Sequence, residues 1–166
     1  LVPSSSVAPL PRRSGTASSR LLGVCDSPTT ASELRQLAAA EVPLDLAPST
    51  SVCPHIIWTT TNPSFRICVY PDQEDQFVSS SIRKSGTWTE WLVSQYEMLL
   101  ADKPPRVVVD VGAGLGFFAL YAAAMGHTVY AFEALGSNVD MLRTSVAMNG
   151  FQSRVRVFHY AVSDRH

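Results

Sequence analysis

Residues 106–121, RVVVDVGAGLGFFALY, constrain the fold of this chain more than any other stretch. Val107, Val108, Val109 and Val111 form a β-branched run without polar alternation, the pattern of a parallel strand covered on both faces. Gly112, Gly114 and Gly116 follow at once, removing side chains where a backbone turns tightly and a ligand comes close. Phe117, Phe118, Leu120, Tyr121, Ala124 and Met125 then supply the apolar face of a helix, and Gly126 stops it. Ligands of open α/β sheets bind outside the carboxyl ends of the strands. Asp110, two residues ahead of the first glycine, therefore stands at a candidate site.

The alternation continues downstream. Residues 127–132 read as a second strand with Glu133 at its C-terminal tip. Ser137 reads as the N-cap of a helix lined by Val139, Leu142 and Val146, with Asn149-Gly150 as its stop. Residues 154–160 alternate early on, as in a strand nearer the sheet edge. Strand, helix, strand, helix, strand implies right-handed crossovers and a parallel sheet, half of a doubly wound α/β fold.

Upstream, residues 55–60 and 65–70 read as the two strands of a β-hairpin with a turn at 61–64. His55 reads as ordinary strand edge. Thr87-Trp-Thr-Glu90 has the form of a capping box for a helix over 88–101, in which Trp88, Trp91, Leu92, Tyr96, Leu99 and Leu100 recur at helical spacing. The favoured reading gives Glu90 to the cap and the tryptophans to the core; the other makes this helix start a lid over the site. Residues 1–24 carry three arginines, no acid and many Ser, Pro and Ala, the composition of an unstructured tail, with some likeness to an organelle transit peptide. After it, Thr30-Ala-Ser-Glu33 reads as the cap of one short helix that ends before Pro43. The expected organisation is a low-complexity segment over 1–50, a hairpin and helix over 51–104, and the ligand-binding half-domain over 105–166.

A net charge of −1, with 46% hydrophobic and 16% charged residues, fits a globular protein and gives no reason to expect a nucleic-acid partner. No apolar run approaches the roughly 20 residues that span a bilayer. Cys53 and Cys68 read as free buried thiols, with pairing as the alternative in an oxidising compartment. The compartment is left open, cytoplasmic or organellar.

The chemistry follows from three features at one end of the sheet. The glycine turn is expected to present free backbone amides beside a helix N-terminus. Glu133, at the tip of the next strand, can accept both hydroxyls of a ribose. Asp110 would repel a pyrophosphate but attract an ammonium or sulfonium in a partly dry site. A cationic S-adenosylmethionine is therefore favoured over NAD, and an NAD-dependent oxidoreductase half-fold is the first alternative.

The motifs VVDVGAGLG (108–116), YAFE (130–133), Asn138, Asn149-Gly150 and AVSD (161–164), with Gly86-Thr-Trp88 upstream, together resemble the FkbM-family methyltransferases. The resemblance covers residues 77 to the C-terminus. It implies a Rossmann-like class I S-adenosylmethionine-dependent methyltransferase sheet, truncated after the third parallel strand and preceded by a β-hairpin and helix. It implies that Asp110, Gly112, Ala113 and Gly114 contact the methionine part of the cofactor, Glu133 the ribose, and Tyr160 and Ala161 the region of adenine. The acceptor would be an oxygen or nitrogen nucleophile on a small molecule, glycan or lipid. Ala134 stands where many members have Pro, and Gly114 where many have Asn. The later strands that orient the acceptor lie outside the match, so no catalytic residue is assigned, and the chain alone is expected to be weakly stable and inactive. A non-catalytic interaction protein retaining this part of the fold is the second alternative.

Overall fold

The computed structural model describes residues 52–163. The expected tail, the Thr30–Glu33 cap and Asp164 lie outside the described residues. The described part is α/β: an antiparallel pair, a three-stranded parallel sheet, and four helices. Strands β1 (His55–Trp58) and β2 (Arg66–Val69) form the hairpin, with His55 opposite Val69 and Trp58 opposite Arg66. Its turn closes on Thr59, whose N–H donates to the Phe65 carbonyl (2.9 Å) and whose hydroxyl oxygen accepts from the Phe65 N–H (3.0 Å). Cys53 and Cys68 are joined as a disulfide, Cα atoms 5.3 Å apart. This corrects the free-thiol reading. The hairpin brings the two sulfurs within bonding reach, which their spacing in sequence does not reveal.

Helices α1 (Val78–Ser85) and α2 (Glu90–Leu100) follow. The first escapes a reading by periodicity because its sequence, VSSSIRKS, has one deep apolar anchor, Ile82, and three serines in a row. Its orphan amides are met from outside the helix: the Asp75 carboxylate accepts from the N–H groups of Phe77 (3.0 Å), Val78 (3.1 Å) and Ser79 (2.8 Å). The capping box expected at Thr87 does not form. Thr89, at φ 52°, is the N-cap of α2 and no side chain caps it. The Thr87 carbonyl instead accepts from the Ser81 and Ser85 hydroxyls, which ties the link between the helices to α1.

The parallel sheet has the order β3 (Val107–Val111), β4 (Thr128–Glu133), β5 (Val155–His159), with α3 (Phe117–Ala124) and α4 (Gly136–Met148) in the crossovers. Register aligns Asp110 with Ala131 and Val157, and Val111 with Phe132 and Phe158. Side chains aligned across strands share a face. Val129, Ala131, Val155 and Val157 are buried beneath α3 and α4. On the opposite face Val107, Val109 and Val111 are about 60% exposed beside the stacked rings of Tyr130, Phe132 and Phe158. The valine run is thus covered on one face among the described residues, not on both. The expected parallel order is observed, and β3 pairs there with β4 alone.

Two devices dock the hairpin onto this layer. Asn149 clamps the main chain of β2, its Oδ1 accepting from the Arg66 N–H (2.9 Å) and its amide donating to the Arg66 carbonyl (2.6 Å). Ser145 accepts from the Cys68 N–H one turn earlier (2.9 Å). An aromatic cluster completes the join: Phe65 packs on Phe117 and Tyr121, and Tyr96 on Phe118 and Tyr121, at centroid distances of 5.1–6.2 Å. Buried His127 ties the end of α2 to the start of β3, with Nδ1 accepting from the Arg106 N–H (3.1 Å). That fixes the tautomer, so Nε2 donates to the Leu100 carbonyl (3.0 Å). Among the described residues no helix is long and apolar enough to cross a membrane.

Candidate functional site

Parallel register puts the C-terminal tips of β3 and β4 side by side, and the glycine turn crosses above them. Gly112, Gly114 and Gly116 all have positive φ, at 76°, 58° and 85°. The turn is tied down through its own amides. Gly112 and Ala113 N–H both donate to the Phe132 carbonyl (2.9 and 3.0 Å), and Gly116 N–H donates to the Ala113 carbonyl (2.8 Å). Gly114 N–H donates to Glu133 Oε2 (2.7 Å). The expectation of free amides is corrected here: four of the turn's donors have protein partners. Two are taken by the neighbouring strand and one by a carboxylate.

Beside the turn lies a cavity of about 730 Å³. Asp110, Gly112, Ala113 and Gly114 form one wall, and Ser137 and Asn138 of α4 another. The third comes from upstream: Tyr70 after β2, Glu74 and Asp75 ahead of α1, Val78, and Trp88 before α2. Three carboxylate side chains border the space, and its lining includes no Lys or Arg. Burial raises the pKa of Asp110; the Ala119 backbone amide pulls it back, and the charge of Glu133 adds to the rise. Burial, with Asp110 as a second cause, also raises the Tyr96 phenol. Asp75 goes the other way. Burial alone would raise it, but hydrogen bonds from Ser79, Phe77 and Val78 outweigh burial and lower its pKa.

Glu133 is buried, 8% exposed, and outside the cavity's lining. Its oxygens accept from Gly114 and Leu135 N–H (2.7 and 2.8 Å), with the Asn138 amide at 3.5 Å. Both lone pairs of Oε1 are thereby taken, and Oε2 keeps one for a ligand. Ser137, expected as the N-cap of α4, lies inside the helix; Leu135 holds the cap position and no side chain caps it. Tyr160 and Ala161 follow β5, exposed and away from the cavity lining. Of the residues expected at the site, Asp110, Gly112, Ala113 and Gly114 thus form one wall, and Trp88 lines the cavity as the lid alternative has it; Tyr70 and Glu74 were not expected there. The acidic run Asp72-Gln-Glu-Asp75 was their signal, directly after a strand. Among the described residues no cluster of His, Cys, Asp and Glu could hold a metal ion. No protein-family model matches the chain, and neither a curated protein nor a solved structure does.

Proposed function

We propose that the cavity takes S-adenosylmethionine and that the chain is the cofactor-binding part of a class I, FkbM-like methyltransferase acting on an oxygen or nitrogen acceptor of a small molecule, glycan or lipid. The observation that carries this reading is the cavity's charge: Glu74, Asp75 and Asp110 border it, without a cation in its lining. A partly dry acidic cavity attracts a sulfonium and an α-ammonium and disfavours a pyrophosphate. The occupied amides at Gly112, Ala113, Gly114 and Gly116 add to this, because a phosphate cradle needs those donors free. A volume of about 730 Å³ suits a nucleoside-sized ligand.

In this reading Asp110, Gly112, Ala113 and Gly114 hold the methionine part and Glu133 accepts a ribose hydroxyl through the remaining lone pair of Oε2. Tyr160 and Ala161 take the adenine side only by the family resemblance. When bound, the cofactor supplies a methyl group activated by sulfonium. The chain's own residues hold and orient it and exclude water with Trp88 and Phe118; alignment of this kind accounts for much of the acceleration of an in-line displacement. Calorimetric titration of the 166-residue chain with S-adenosylmethionine and, separately, NAD tests the reading. Binding of the first without the second is expected, and binding of NAD alone overturns it.

A further inference from the structure

A chain of hydrogen bonds runs along the cavity wall from the hairpin to the glycine turn. Ser79 Oγ donates to Asp75 Oδ2 (2.8 Å) and accepts from the Tyr70 N–H (3.0 Å), which fixes Tyr70 on α1. The Tyr70 hydroxyl donates to Asn138 Oδ1 (3.0 Å). With Oδ1 held there, the Asn138 amide turns its NH₂ toward Glu133 Oε1 (3.5 Å), the orientation an acceptor-only carboxylate requires. The flipped amide would set a carbonyl oxygen against the carboxylate. Glu133 in turn holds the Gly114 N–H through Oε2 (2.7 Å). Tyr70, Asn138 and Gly114 all line the cavity, so the relay ends where a ligand would sit.

We propose that Tyr70 is a positioning residue for the ligand site, holding Asn138 in place and through it the Glu133 carboxylate and the Gly114 amide. Its ligand consequence rests on the reading of Glu133 as the ribose acceptor. The hairpin is then a working part of the site. The residue that follows its second strand positions an acid more than sixty residues later in the chain.

The test uses the full chain and the variants Y70F, N138A, the double variant and N138D, with two readouts. Calorimetry with S-adenosylmethionine is expected to show about 2- to 10-fold weaker binding in Y70F and N138A, the worth of one neutral hydrogen bond. The double variant should be no weaker than N138A, because the hydroxyl acts through that amide. N138D should lose most, since a second carboxylate then faces Glu133. Amide hydrogen exchange at Gly114 is expected to quicken in Y70F and N138A with no ligand present. Wild-type affinity and unchanged Gly114 exchange in Y70F, whatever its melting temperature, would overturn the proposal and leave Tyr70 a packing residue. Should the wild-type chain bind no S-adenosylmethionine, the cofactor reading falls while Gly114 exchange still decides the relay.

Discussion

Gly116→Ala should be among the most damaging small substitutions in the chain. Gly116 sits at φ 85°, ψ 24° at the entry to α3, where an L-residue costs about 1–2 kcal/mol. Space is lacking as well. A methyl built on Gly116 overlaps the Cδ1 methyl of Leu142 on α4 and lies 3.0 Å from its Cγ. Leu142 is fully buried, so it yields only by leaving its rotamer or pushing the helices apart, an overpacking cost of about 1–3 kcal/mol. The sum, about 2–5 kcal/mol, is a large share of the roughly 5–15 kcal/mol that holds a typical domain together. The two contributions separate by partner deletion. Leu142→Ala alone costs about 2–5 kcal/mol. In the double variant the overlap is gone, so the loss should fall short of the sum of the singles by about 1–3 kcal/mol. Urea unfolding followed by circular dichroism measures all four proteins, with an unchanged m-value guarding the comparison. Gly150→Ala, at φ 69° with no neighbour within 4 Å, controls for backbone strain alone. Additive losses, or a Gly116→Ala loss no greater than that of Gly150→Ala, would refute the packing argument.

Three further outcomes are expected. Asp75→Ala removes the acceptor of three amides at the start of α1 and should cost about 1 kcal/mol by denaturant melts. Because the folded pKa of Asp75 is lowered, its contribution is present above the ordinary carboxylate value near 4 and is lost as pH falls through the folded pKa; the alanine variant should lack that part of the acid dependence. Asp110 carries the opposite sign. Its raised pKa means that its ionisation destabilises the empty fold as pH rises past about 4, while a cationic ligand gains from the same ionisation. Asp110→Asn should therefore stabilise the ligand-free chain near neutral pH and flatten the rise of S-adenosylmethionine affinity with pH, and a wild-type affinity flat from pH 4 to 8 would count against it. Replacing both Cys53 and Cys68 with Ser opens a link spanning 15 residues and should cost about 3 kcal/mol, read as a lowered urea midpoint; equal stability of the variant and the oxidised protein would contradict this.

The parallel sheet was legible because valine runs, glycine stops and crossover helices are local signals, each carried by adjacent residues. The hairpin was legible for the same reason. What escaped depends on residues distant in sequence. Asn149 read as part of a helix stop, yet its amide clamps Arg66 on β2. Ser79 offers no pattern, but its hydroxyl joins Asp75 to Tyr70. Both capping assignments at Thr87 and Ser137 failed although the right residue types stood there. In α1 the cap comes from Asp75, two residues before the position a motif would name. The valine run misled in a specific way: an apolar strand without alternation signals that both faces are fit for burial, not that both are covered. Val107, Val109 and Val111 present such a face to solvent among the described residues.

At the site, fold and ligand place opposite demands on two acids. Asp110 and Glu133 stand near the tips of adjacent strands, and the charge of Glu133 adds to the rise that burial gives the pKa of Asp110. The fold meets Glu133 with the Gly114 and Leu135 amides, which are neutral donors and leave its charge uncancelled. Asp110 receives less and faces the cavity. An acid pair whose sole purpose was to brace the turn would be served as well by asparagine at 110, without the cost of burying a charge. A carboxylate kept there, in a cavity without lining cations, makes sense if the missing positive charge arrives with a ligand. The same reasoning separates the two acids by experiment: loss of Asp110 should weaken binding while the fold gains, whereas loss of Glu133 should loosen the glycine turn and weaken binding together.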